Sequence, residues 1–410
     1  MTRRRLAGLD GVRGLAALYV VVNHVFERAF PGYPVDHAPW WAGWFIYGRF
    51  AVVVFIVLSG FSLAQSPARH GWRLDGVSRF AGRRARRILP AYGAALGFSL
   101  AVAWLLVPQP GQGKPDARSV VVNGLLVQNL VHASSPNRAF WSMAVEAQLY
   151  VVFPLLILAA RRAGTVAMAA AVTLLVAWIA VEAPHDPRLH TLVVQSPPEL
   201  AALFAVGILA AGIVAAGRFG CGRPWAWLAL AAAAPVLLTI WRRGSVWTLT
   251  PIHLLWVDLA LGPSIACLFV ALARGRPAPL VRLLDSRPVR SLGLCSYSLY
   301  LLHEPVVIVV YRRLVLPRYH HGPTAFLVAV AVIVPVSIAL AQLFALVFER
   351  PFLRRQGQVE HVVAAPDLGR EVADVRSGHV HAGPHVPRDR DPARVELPRL
   401  VRVVAEERDP

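Results

Sequence analysis

Charge is scarce in this chain. Only 16% of its 410 residues are Asp, Glu, Lys or Arg, where a soluble globular domain carries about a quarter. Hydrophobic residues make up 56%. That excludes a large soluble enzyme and, for most of the chain, a solvated disordered one, because so much apolar surface must be buried or placed in lipid. Cysteine is scarcer still: Cys221, Cys267 and Cys295 form neither a CxxC pair nor a ligand cluster, which excludes a disulfide framework and a cysteine metal site. Lysine is all but missing. Lys114 stands alone among 42 basic residues, which face 23 acidic ones for a net charge of +19. In so hydrophobic a chain that excess belongs to loops on the cytoplasmic side of a membrane. A lipid bilayer is the expected partner, and nucleic acid is not.

What the chain has in quantity is apolar runs of membrane-spanning length, about 17–25 residues. They fall near 11–30, 46–64, 88–107, 142–160, 164–182, 199–217, 225–241, 251–273, 291–311 and 325–348. The expectation is an all-α, polytopic transmembrane helix bundle of about ten spans. Segment 119–131 is too short to cross and reads as re-entrant or interfacial. With the N-terminus cytoplasmic, the inner loops hold 19 basic residues and the outer loops nine, so both termini are expected on the cytoplasmic side of the cell membrane. Trp40, Trp41, Trp44 and Tyr47 then sit at the outer interface. Asp10 and Arg13 interrupt the first run early, which argues against a cleavable signal peptide. Residues 361–410 hold eight Arg against nine acidic residues, six Pro, four His and no aromatic residue. The expected division is a transmembrane domain over 1–352 and a disordered cytoplasmic tail over 353–410.

Ionisable residues inside spans are expensive and are therefore functional candidates. Arg13 and His24 are eleven residues apart, which returns them to one helix face about 16 Å apart along the axis; Asp10 lies within about 40° of that face. The fourth run brings Glu146 in from the outer side, and the ninth carries His303, about 18 Å from the inner edge. His24, Glu146 and His303 are thus expected at similar depth, as a general acid–base set or as a buried polar network. Arg79, Arg83, Arg84, Arg86 and Arg87 crowd into nine residues before the third run. Such a cluster suits phosphates, anionic lipid headgroups or orientation alone.

These blocks occur together with others. They include Leu9-Asp10-Gly11-Val12-Arg13-Gly14 followed by His24, Phe55-Ile56-Val57-Leu58-Ser59-Gly60-Phe61, and Arg83 to Pro90 with Tyr92. Further along stand Trp141-Ser142 with Val145-Glu146 and Gln148-Leu149-Tyr150, Ser296-Tyr297-Ser298-Leu299-Tyr300-Leu301 with His303, and Glu349-Arg350-Pro351. In that order they resemble the membrane acyltransferase family 3. The resemblance implies an integral membrane O-acyltransferase that takes an acyl group, expected to be short, from acyl-CoA. The acceptor would be a hydroxyl of a carbohydrate, glycolipid or small metabolite. It places the family's R-x10-H pair at Arg13 and His24, its R-x-x-R element at Arg84 and Arg87, and its Trp-Ser-block glutamate at Glu146.

Three departures point to an unusual acceptor or altered substrate contacts. Ala51 and Val53 stand where relatives carry Gly and Asp, Ala147 follows Glu146, and Pro197-Pro198-Glu199 replaces an expected arginine. Some relatives carry an added esterase-like domain, and none is expected here.

The resulting expectation assigns His24 as general base, with Glu146 orienting it or the acceptor and Arg13 and Asp10 organising the entrance. Arg83, Arg84, Arg86 and Arg87 would bind the donor's phosphates. Ser59, Trp141, Ser142, Tyr297 and His303 would support the acceptor side. Ser59 is not expected as a nucleophile, since it lies too near the inner end of its span to meet His24. No metal and no tightly bound cofactor is expected, acyl-CoA being a co-substrate. The alternative is a transporter or flippase of an acylated or anionic solute, which intramembrane charges serve equally well. The expectation that separates the two is simple: an acyltransferase releases free thiol from acyl-CoA when a hydroxyl acceptor is supplied, and a transporter does not.

Overall fold

A computed structural model describes residues 8–35, 37–131, 133–217, 224–244 and 250–352. The tail from 353 onward, with Cys221, lies outside the described residues. All described secondary structure is helical: α1 (Leu9–Ala29), α2 (Arg49–Arg69), α3 (Val77–Leu105), α4 (Ala117–Gly124), α5 (Phe140–Ala163), α6 (Thr165–Glu182) and α7 (Pro187–Gln195). It continues with α8 (Glu199–Ala216), α9 (Trp225–Arg243), α10 (Pro251–Ala273), α11 (Ala278–Leu284), α12 (Arg287–Leu294), α13 (Ser296–Val310) and α14 (Pro323–Phe344). Among the described residues nine helices are long and apolar enough to cross a membrane. The number rises to ten if α12 and α13, bent by 73° at Cys295, count as one span. Each corresponds to one of the ten apolar runs.

Local chemistry sets the element ends. Asp116 caps α4 by accepting from the Ser119 N–H at 2.8 Å, and these bonds hold its carboxyl below the usual carboxylate range. Asp186 before Pro187 and Thr250 before Pro251 cap α7 and α10 in the same way, each followed by a proline whose missing N–H costs nothing at a helix start. α3 begins earlier than expected. Arg79 to Arg87, expected as a loop, form its first turns, because Arg and Ala are good helix formers and nothing before Pro90 breaks the pattern. The apolar segment from 119 forms only the eight-residue α4 and does not cross.

Two seams bring the helices close enough to build a site. In the first, α2 lies along α8. A Cβ on Gly60 would strike the Phe204 carbonyl, and one on Gly207 would strike the Val57 carbonyl, so each helix presents a glycine to the other's backbone. In the second, Gly14 of α1 meets the backbone of Leu292 and Gly293, and Gly293 in turn meets that of Asp10. Small residues permit such approach where lipid provides no hydrophobic drive between helices. These seams press α1 between α2 and the α12–α13 corner and leave α9 largely exposed on its apolar faces.

Replacing Gly60 by Leu is expected to separate α2 from α8 at a cost of about 1–3 kcal/mol or more. A fall in the unfolding temperature in detergent larger than that of Gly97→Leu, which meets open space, would show it; equal effects would contradict the seam.

Candidate active site

Five helices turn polar side chains toward one another in two groups. At the end of α1 nearer Ala29, Glu304 of α13 is wholly buried and faces three cations or potential cations. Its Oε1 accepts from Arg28 Nη2 at 2.8 Å, and its Oε2 lies 3.1 Å from His24 Nδ1. The His303 ring stands 5.1 Å from that of His24, and its Nδ1 lies 2.8 Å from the Tyr300 carbonyl. Glu27 is 3.6 Å from His24 and 3.8 Å from Arg138. Because α-helical residues three and four apart share a face, His24, Glu27 and Arg28 all reach the α13 side from one and a bit turns. Tyr300, His303 and Glu304 do the same from α13.

His24 borders a cavity of about 220 Å³ that is also lined by Asn23, Arg49, Arg138, Trp141 and Tyr300. His24 Nδ1 lies 3.1 Å from Glu304 Oε2 and 3.6 Å from Glu27, and neither Nδ1 nor Glu304 Oε2 has a hydrogen-bond partner among the described residues, so the approach is one of charge. Arg49 of α2 enters it from the opposite wall, held by Asp258 of α10 at 2.7 Å and by Glu199 of α8, with Trp141 beneath its guanidinium at 5.5 Å. The expected arginine at the start of α8 is thus replaced by a carboxylate that receives its arginine from α2.

The second group lies toward the other end of α1. Glu146 accepts from Ser59 at 2.9 Å and from the Tyr150 hydroxyl, and Ser59 and Tyr150 are 3.2 Å apart. Arg13 donates to Ser62 at 3.3 Å and stands 3.6 Å from Asp10. The charges of Glu146 and Arg87 act on Arg13, and that of Arg84 acts on Tyr150. Tyr297 donates to the Ile88 carbonyl at 3.2 Å. Of the four α3 arginines expected at the donor, Arg83 and Arg84 are half-buried. Arg86 is exposed and folds back on Gly82 at 3.2 Å, and Arg87, also exposed, lies within reach of the Arg13 charge. Ser142 shares a 2.5 Å hydrogen bond with Tyr300, whose own hydroxyl also reaches the Ala139 carbonyl.

The structure therefore brings His24 and His303 together and Arg13 and Asp10 together, and it separates Glu146 from His24. Glu146 was expected to orient His24 or the acceptor; the carboxylates beside His24 are Glu304 at 3.1 Å and Glu27 at 3.6 Å. Glu304 sits beside His303 in the same intramembrane run, so the depth rule that flagged His303 applies to it equally; spacing alone does not say which acid of which helix meets a given histidine. Arg28, Tyr300 and Arg49 were likewise not singled out. Arg28 stands four residues beyond His24, a one-turn signal that was there to be used.

His24, His303 and Glu304 also bring three metal-ligand atoms within 4.8 Å of one another. Arg28 takes only Oε1 of Glu304, whereas Glu304 Oε2, His24 Nδ1 and His303 Nε2 have no hydrogen-bond partner among the described residues; two guanidiniums (Arg28, Arg138) and two carboxylates (Glu27, Glu304) surround the cluster.

Residues 6–342 match the acyltransferase family 3 model, described as an acyltransferase domain, and the chain belongs to this family. The acyltransferase MdmB of Streptomyces mycarofaciens is 28% identical over 402 residues, spanning 90% of this chain and 97% of that protein. The O-acetyltransferase OatA of Staphylococcus aureus (strain NCTC 8325 / PS 47) is 28% identical over 165 residues, 38% of this chain, and the match spans a quarter of OatA's length. No solved structure matches the chain.

The ion pair at Glu304 makes a direct prediction. Arg28→Met strands a buried carboxylate and is expected to cost about 3–5 kcal/mol, whereas Arg28→Met with Glu304→Gln is expected to recover most of it. Thermal unfolding of the two proteins in detergent checks this, and an undiminished loss in the double variant would contradict the pairing.

Proposed function

We propose that this chain is an O-acyltransferase of the cell membrane, moving a short acyl group from acyl-CoA to a hydroxyl of a carbohydrate, glycolipid or small metabolite. The observation that carries this reading is the succession of polar groups along α1, from Arg84, Arg87 and Arg13 through Glu146 and Tyr300 to His24 at the cavity. Phosphates of the donor bind at Arg83, Arg84, Arg86 and Arg87, guanidiniums being suited to bidentate contact with them. The pantetheine arm follows the polar column past Arg13, and the thioester reaches the cavity. An arm of that kind is matched by the axial spacing of about 16 Å between Arg13 and His24.

In the cavity His24 Nε2 takes the proton of the acceptor hydroxyl as its oxygen attacks the thioester carbonyl. The tetrahedral intermediate collapses, the C–S bond breaks, and the departing thiolate takes the proton back from the imidazolium. Glu304, with Oε2 3.1 Å from Nδ1, steadies the imidazolium by its charge, while Arg28 pairs with its other oxygen. This is the division of labour of histidine–carboxylate pairs in acyl transfer generally. Glu146, bonded to Ser59 and Tyr150, serves the donor's path and not the histidine. Ser59 makes no contact with His24 among the described residues, so direct transfer is favoured over an acyl-enzyme. An oxygen acceptor accords with the O-acetyltransferase name of one relative. The proposed orientation, with both termini cytoplasmic, puts the arginines on the side where acyl-CoA is made.

The test is thiol release from acetyl-, propionyl- and butyryl-CoA by purified protein, with a pooled extract of glycans and small metabolites as acceptor. His24→Ala is expected to abolish acceptor-dependent release, and Glu304→Gln to lower it by about 10²–10⁴-fold. Full activity in folded His24→Ala would sink the mechanism. Arg84→Gln and Arg87→Gln are expected to raise KM for acyl-CoA with little change in kcat, and an unchanged KM would remove the arginines from the donor site.

A further inference from the structure

The Arg49 triad is not needed by the mechanism above, and its construction is costly. Glu199 and Asp258 are 1% and 0% exposed and come from two different membrane-length helices, yet both converge on one guanidinium of a third. If the group served only to tie α2 to α8 and α10, apolar packing of similar volume would do so at least as well. The carboxylates do something packing cannot: they hold the fork of Arg49 in one orientation at the wall of the cavity that His24 also lines.

Arginine has five N–H donors, and the clamp uses Nε toward Asp258 and one hydrogen of Nη2 toward Glu199. Nη1 makes no hydrogen bond among the described residues, while the side chain keeps 24% of its surface exposed. Trp141 supplies a flat apolar surface directly beneath. The charge balance restricts what binds there. Two carboxylates outnumber one guanidinium, and Glu199 Oε2 and Asp258 Oδ1 have no hydrogen-bond partner. With its charge already met by carboxylates, Arg49 offers an anion no unpaired positive charge, while a neutral oxygen finds open N–H donors.

We propose that Arg49, clamped by Glu199 and Asp258 over Trp141, is a binding subsite for the neutral, oxygen-rich part of the acceptor, which it positions with a hydroxyl facing His24. Its role in transfer rests on the acyltransferase reading, but its role in binding does not. Arg49 is a positioning residue that donates to hydroxyl, ring or carbonyl oxygens. Glu199 is the charge that turns anions away.

The experiment uses the full chain in detergent and three matched probes: methyl glucoside (neutral), methyl glucuronide (anionic) and methyl glucosaminide (cationic). Ligand-induced rise in unfolding temperature reports binding, and thiol release from acetyl-CoA reports transfer. The glucoside is expected to stabilise the wild type and the glucuronide not. Arg49→Lys, which keeps the charge for the carboxylates but loses the fork, is expected to weaken glucoside binding on the order of tenfold or more. It should raise KM for acceptor by the same factor. Glu199→Gln, which balances the triad, is expected to admit the glucuronide. Stabilisation by the glucuronide equal to that by the glucoside in wild type overturns the subsite, as does glucoside binding that survives Arg49→Lys or fails in wild type. Glucoside binding that depends on Arg49 supports it even where acetyl-CoA releases no thiol, an outcome that would count against the transferase reading alone.

Discussion

A carboxylate without water must have partners, and Glu304 is the carboxylate around which this bundle is organised. It is wholly buried between α1 and α13, where leaving it ionised and alone would be prohibitive. Arg28 takes one oxygen and His24 faces the other. Once those three are fixed, the imidazole is held between the carboxylate and the cavity that it lines. The requirement that a buried charge be met thus places an imidazole, a side chain whose ordinary pKa lies near neutrality, at the cavity.

The remaining polar groups follow the same rule at other depths. Glu146 takes the hydroxyls of Ser59 and Tyr150, Glu349 accepts from Ser298 at 2.7 Å, and Arg49 divides itself between Glu199 and Asp258. Each cluster joins residues distant in sequence, and two of the contacts rest on seams where glycines let backbones close. Gly60 and Gly207 set α2 against α8, which brings Arg49 to Glu199. Gly14 and Gly293 set α1 against the α12–α13 corner, which brings His24 to Glu304. The small residues of the family-like blocks and their charged neighbours therefore act as a unit: the first sets the distance that the second bridges.

The departures from the family pattern gain a physical account in this light. Ala51 and Val53, which stand where relatives carry Gly and Asp, are buried apolar residues of α2. Arg49, one turn earlier on the same helix, makes an ion pair with the carboxylate that stands where an arginine was expected. That interhelical ion pair lies on the wall of the cavity.

Much was legible before any coordinates. Apolar run length decided the class and located every membrane-length helix, because lipid imposes its thickness on each span independently. Intramembrane charge picked out Asp10, Arg13, His24, Glu146 and His303, because cost is a property of the single residue. Which acid faces which base was not legible. Glu146 and Glu304 satisfy the same depth rule, and only the rotation and approach of α1 against α13, set by glycine seams and the 73° corner, give His24 to Glu304 and Glu146 to Ser59. Spacing along one helix is a local quantity fixed at 1.5 Å and 100° per residue; pairing between helices depends on how five of them pack, and that is decided only in the folded bundle.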